Sequence, residues 1–111
     1  MKVKDLVKEL NAKIYYESDF EREISTGYCG DFLSVVMGKA SDDCAWFTIM
    51  NNLNVAAVAH ICNVAVVIIC EGFEPDSALM EKCKMMDINL IGTDLDIFNA
   101  VKISSVKGAV D

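Results

Sequence analysis

The sequence predicts an α/β fold, a three-layer sandwich with a mainly parallel β-sheet between helices. Three observations predict it. From Ala45 onward, segments of strand and helix character alternate without a break: 45–50, 55–62, 64–70, 75–86, 88–92 and 94–103. Alternation of this kind implies right-handed crossovers and parallel neighbouring strands. The central run, Val64–Cys70, is almost wholly β-branched and apolar on both faces, as a strand covered on both sides must be. Finally, 111 residues with 53% apolar content make a single domain with a sizeable core and exclude a disordered chain.

The elements follow in order. Val3, Leu6, Val7 and Leu10 recur at helical spacing and predict a short first helix. Lys13–Tyr16, "KIYY", reads as a strand, followed by the charged turn "ESDFERE" and a short strand around Ile24. In "TGYCGDFLSVVMGKA" two glycines bracket Tyr28 and Cys29, and Asp31 is placed to accept hydrogen bonds from the first amides of a helix that Gly38 ends. "AWFTIM" is the next strand. The asparagines of "NNLN" suit a cap or turn before an alanine-rich helix, Val55 to Cys62, that Asn63 terminates. Pro75 and Asp76 open the following helix. Thr93 caps the last one, with Asp96 three residues on in a near capping box.

Composition narrows the function. The net charge of −7 repels polyanions, and no basic stripe offsets it, so nucleic acid is excluded as a partner. The longest apolar run is Val64–Cys70, far short of the ~20 residues that span a bilayer. The opening "MKVKDLVKEL" is charged and amphipathic, without a signal-peptide core, so a cytoplasmic location and no membrane association are expected. Five cysteines without a C-x-x-C pair, beside the single His60, support neither a zinc site nor a disulfide framework. They read as buried thiols in a reducing compartment, with Cys29 and Cys70, which adjoin loops, as candidates for a redox switch.

Ligands of open α/β sheets gather outside the carboxyl ends of the strands. Three loops qualify, 50–54, 71–74 and 92–94, with the "GYCGD" loop as a possible fourth. The candidate binding residues are Thr48, Asn51, Asn52, Asn54, Glu71, Gly72, Glu74, Gly92, Thr93 and Asp94, with Gly30, Asp31 and Ser34 contributing from the fourth loop. These loops hold no Lys or Arg and no phosphate-binding glycine motif, so a polar or cationic small ligand fits their chemistry better than a nucleotide. The competing reading is that the asparagines and Thr93 only cap helices and that Glu71 and Glu74 are solvated. Catalysis has little support. His60 lies on an apolar helix where a structural role is expected, Ser25, Ser34 and Thr48 have no identifiable base, and Asp42 and Asp43 look like a solvated turn.

Taken together and in order, "GDFLSVVM", "TIMNNLNVAAVA", "EGFEP" and "IGTDLDIF" resemble the DRTGG domain family, over Val3 to Ser104. The resemblance implies one domain over residues 1–104; the remaining 105–111 read as a frayed tail. It also implies a fold similar to the N-terminal domain of bacterial HPr kinase/phosphorylase. DRTGG domains accompany other modules, among them phosphotransacetylases and CBS-domain pyrophosphatases. Stand-alone versions occur with hydrogenase-linked signalling proteins of anaerobes. The implied function is a non-catalytic regulatory and oligomerisation module, without cofactor or metal, that forms a homodimer, senses a small ligand and acts on a partner protein. The alternative is a sensor of a nucleotide or cation, or a cysteine-based redox sensor; a self-contained enzyme is the third class. The chain departs from the family at the name-giving residues. The Asp-Arg pair aligns with Asn51-Asn52 and the Thr-Gly-Gly with Cys70-Glu71-Gly72, so only the last glycine is kept. An anion-gripping guanidinium has become a neutral amide, which puts anion binding there in doubt.

Overall fold

The computed structural model describes residues 1–107. Its elements, in chain order, are α1 (Val3–Leu10), β1 (Lys13–Tyr16), β2 (Gly27–Cys29), α2 (Leu33–Lys39), β3 (Ala45–Thr48), α3 (Asn54–Cys62), β4 (Val66–Ile69), α4 (Ser77–Met86), β5 (Leu90–Gly92) and α5 (Ile97–Ile103). The strands form one sheet in the order β1-β5-β4-β3-β2. Strands β2 to β5 run parallel, and β1 joins β5 antiparallel at one edge. The expected α/β fold with a mainly parallel sheet is therefore present.

Period-two alternation along the strands divides the apolar residues into two cores. Trp46, Val67, Ile69 and Leu90 pack with Val55, Ala59, Leu79 and Cys83 of α3 and α4. Phe47, Val66, Ile68 and Ile91 pack with Val3, Leu6 and Leu10 of α1 and Ala100 of α5. Strands β3, β4 and β5 thus each serve two cores at once, which is why "VAVVIIC" carries no polar face.

Several boundaries differ from the sequence expectation, each for a local reason. Ile24 is buried, but it is no part of a sheet strand. Its amide donates to Met1 O, and the neighbouring Glu23 bridges Lys2, so this segment fastens the amino terminus of α1. The strand lies instead at Gly27–Cys29, inside the glycine-bracketed stretch read as a loop. Helix α2 runs past Gly38 to Lys39. Helices α4 and α5 begin after Asp76 and Asp96, whose carboxylates accept from Leu79 N at 2.8 Å and Asn99 N at 2.7 Å. Pro75 consequently precedes the cap, and Thr93 caps nothing: its hydroxyl accepts from Leu95 N in a local turn. Asn63 ends α3 as expected, in the left-handed conformation.

Within the tail expected over 105–111, residues 105–107 bond back to the domain. Ser105 N and Oγ both donate to the Glu9 carboxylate, while Lys107 O accepts from Gly27 N and Thr26 Oγ1, each at 2.9 Å. Residues 108–111, the rest of that expected tail, lie outside the described residues. His60, expected to be held within an apolar helix, is exposed near the end of α3. Asp43 is paired as well as half-exposed: Arg22 Nε donates to its Oδ1 at 2.9 Å, with Nη2 at 2.9 Å from the same oxygen and donating to Asn63 O.

Candidate functional site at the carboxyl rim of the sheet

The carboxyl ends of β2, β3, β4 and β5 share one rim of the sheet, and the candidate loops meet there by bonding to one another. Asp31, following β2, supplies one end of this network. Its Oδ1 accepts from Thr48 Oγ1 at 2.8 Å and from Ile49 N at 2.9 Å, so the carboxylate expected to cap α2 fixes the exit of β3 instead. Helix α2 is left without a side-chain cap. Thr48 is fully buried, and its oxygen also accepts from Met50 N. Asn51 Nδ2 donates to Glu74 O at 2.8 Å, and Asn51 O accepts from Asp76 N, tying the 50–54 loop to the 71–76 loop. Asn52 Oδ1 accepts from Asn54 N in an Asx turn. The main chain completes the weave: Glu71 N donates to Leu95 O at 2.8 Å and Gly72 N to Thr93 O at 3.0 Å.

The turn after β4 shows the local logic most clearly. Glu71 has φ 63° and Gly72 φ 74°, and Phe73 N reaches back to Cys70 O. Positive φ at both central residues marks a primed turn of the kind glycine favours. The other non-glycine residues with positive φ are Asn11, Asp43, Asn63 and Asp87, the residue types that tolerate this conformation. Glu71 alone among the five is not. It stands where the resembling family has glycine, and its side chain is exposed. Gly72 has no such freedom, because a Cβ there would lie 3.2 Å from Asp94 Oδ1.

The candidates therefore divide. Thr48, Asp31, Asn51 and Gly72 are occupied in joining loops, and Asn52 in a turn of its own loop. Asn54 and Ser34 are exposed at the starts of α3 and α2. Gly30 supplies its carbonyl to Trp46 Nε1 at 2.8 Å. Open volume lies at the third loop only in part of the rim, where a polar recess of about 460 Å³ is lined by Leu10, Asn11, Lys13, Gly92, Thr93, Asp94 and Leu95. Gly92 keeps the floor low, since a Cβ would come within 2.6 Å of the Tyr15 ring. Lys13 and Asn11, from the α1–β1 corner, were not among the sequence candidates. They reach the rim because β1 turns antiparallel beside β5, with Lys13 opposite Gly92. The lining carries one charge of each sign, Lys13 and Asp94. Burial raises the Tyr15 pKa, Lys13 opposes it, and the carboxylates of Glu74 and Asp94 add smaller upward effects.

The two redox candidates fare differently. Cys70 is fully buried, and burial pushes its thiol up to about 12. Cys29 is exposed, the exception to the expectation of five buried thiols. Its pKa is also raised, by partial burial and then by Asp31. A redox-sensing cysteine needs a lowered thiol pKa, and neither has one. Among the described residues no group of His, Cys, Asp and Glu side chains could hold a metal ion, and no helix is long and apolar enough to cross a membrane.

No protein-family model matches the chain, and no curated protein matches it in sequence. The chain is similar over nearly its whole length to a solved structure of the CBS and DRTGG domains of the regulatory region of Clostridium perfringens pyrophosphatase, complexed with activator, diadenosine tetraphosphate. The TM-score is 0.78 at 15% identity, covering 92% of this chain and 45% of that one. This chain has a DRTGG-like fold. It spans a little under half the length of that structure, and the likeness concerns the path of the chain.

Proposed function

We propose that this DRTGG-like domain is a non-catalytic regulatory module that takes a small, polar, cation-bearing ligand in the recess beside Gly92–Leu95 and acts through a protein partner. The observation that carries this reading is the recess itself, open volume at the carboxyl rim where the neighbouring loops are closed by their own hydrogen bonds. Asp94 and the backbone of Thr93 offer acceptors, Lys13 offers one compensating donor, and the surrounding charge of the −7 chain favours cations over phosphates. The regulatory reading is supported by the similar fold of a pyrophosphatase regulatory region crystallised with an activator. On the resemblance alone, the partner is sought among hydrogenase-linked signalling proteins. The two apolar cores, one with α3 and α4 and one with α1 and α5, support the layered sandwich read from sequence. The wide apolar surface left over supports a module that self-associates.

A thermal-shift panel tests the ligand. A ligand of the folded state raises the melting temperature in proportion to its occupancy. Spermidine and other small amines are expected to raise it, and Asp94→Ala to abolish the rise. A shift produced by diadenosine tetraphosphate and not by amines, or one indifferent to Asp94→Ala, overturns the cationic reading.

A further inference from the structure

A second opening lies away from the rim, between the outer strand of the sheet and the last helix. Cys29, Ile97, Phe98, Val101 and Lys102 line a trough of about 540 Å³, and its walls are almost wholly apolar. A smaller hollow of about 180 Å³ continues it past Gly27, Phe47 and Val106, sharing Cys29 and Val101. Phe98, on its rim, is 74% exposed, the most exposed large apolar side chain among the described residues. β2 is an edge strand of the sheet. The 105–107 segment shields only its start, through the bond from Gly27 N to Lys107 O. An apolar trough beside a partly covered sheet edge is a surface that asks for a partner.

We infer that this trough is the face through which two copies of the chain pair, with α5 of each lying antiparallel across the other. The inference rests on the reading that the module self-associates, and names its surface. Two observations select a second copy as occupant. First, a two-fold interface needs knob and hole on one patch, and here Phe98 stands beside the trough it would fill. Second, the charges complement themselves under that symmetry. Two α5 helices running antiparallel about an axis near Asn99 bring Phe98 against the partner's Val101. The same pairing carries Lys102 to the start of the partner's α5, where Asp96 lies. The walls of the trough and its continuation carry Lys102 and Lys107 and no carboxylate, so the contact between two chains of net charge −7 holds little acid beyond the Asp96 that each Lys102 meets.

Light scattering and sedimentation of the full chain at micromolar concentration test the inference, alongside Phe98→Glu, Lys102→Glu and, as a control on the exposed residue that precedes α2, Phe32→Glu. Circular dichroism confirms that each variant is folded. The expected result is a dimer for the wild type and for Phe32→Glu, a monomer for Phe98→Glu, and weakened pairing for Lys102→Glu. Modification of Cys29 by a thiol reagent is expected to slow as wild-type concentration rises and to lose that dependence in Phe98→Glu. A folded Phe98→Glu that remains dimeric overturns this surface while leaving self-association standing. A monomeric wild type overturns self-association itself. Neither result touches the ligand reading, which the thermal-shift panel decides.

Discussion

The carboxyl rim and the α5 trough differ in what fills them. At the rim, Asp31, Asn51 and the main chain of residues 71–72 find partners in adjacent loops, so a polar cluster that looks like a binding site in sequence is largely its own ligand. At the trough, Phe98, Val101 and Cys29 line a hollow that no other described residue fills. In a domain this small, polar loop residues are used first to hold parallel strands and helices in register. The surface available to other molecules is what remains, including a polar recess at the end of the rim and an apolar face at the sheet edge.

The largest effect expected separates the thiols of the two regions. Burial pushes Cys44 and Cys83 up to about 11 and Cys70 to about 12, from an ordinary value of 9.0. A pKa raised in the folded state means the unfolded chain loses its protons first as pH rises. The stability held by these neutral thiols is therefore complete below about pH 9 and is lost progressively through pH 11–12. Denaturant midpoints measured across that range should fall steadily, and replacing all three cysteines by alanine should flatten the alkaline limb. At pH 8, a thiol reagent should titrate Cys29 in the native protein and reach the other four only on unfolding.

Next in size is Asp31→Ala, which removes the acceptor for Thr48 and for Ile49 N. Two bonds to a charged group and a buried hydroxyl left behind correspond to about 3 kcal/mol. Urea denaturation should show that loss, and a change under about 1 kcal/mol would mean the rim is less self-sufficient than its geometry indicates. The turn after β4 should respond in opposite senses at its two central residues. Gly72→Ala forces a side chain into a left-handed position and should cost about 1–2 kcal/mol. Glu71→Gly relieves one and should gain up to about 1 kcal/mol, partly offset by the added freedom of the unfolded chain. Smallest of all is Phe98→Ser, expected to change the stability of the monomer by no more than about 0.5 kcal/mol, because that side chain buries little within its own chain.

Much of the fold was legible because the periodicities are strong. Val66–Ile69 serves two cores and reads as a central strand, and α1 shows its buried stripe at Val3, Leu6 and Leu10. Caps were harder to place, because Thr93, Asp76 and Asp96 are all competent cap residues, and only the path of the chain selects the two aspartates. Asn89 illustrates what sequence could not give. It is buried, accepts from Ser18 N and Asp19 N, and donates to Asp19 O and Ala65 O, fastening the charged turn to the amino ends of β4 and β5. Its partners lie 24 or more positions away, so nothing beside it in sequence signals the role. For the same reason the loops of the candidate site could be named while their occupancy could not. Whether Asn51 faces a ligand or Glu74 O depends on how two crossovers fall together. Lys13 and Asn11 joined the recess through the antiparallel turn of β1, which no local pattern announces.

The most direct measurement is a calorimetric titration of spermidine into the wild type, Asp94→Asn and Asn51→Ala. If the recess beside Gly92–Leu95 is the responsive site and the remaining loops serve as scaffold, the wild type binds, Asp94→Asn loses most of that affinity, and Asn51→Ala binds as the wild type does despite its lower stability. Binding that survives Asp94→Asn and disappears in a folded Asn51→Ala would contradict it.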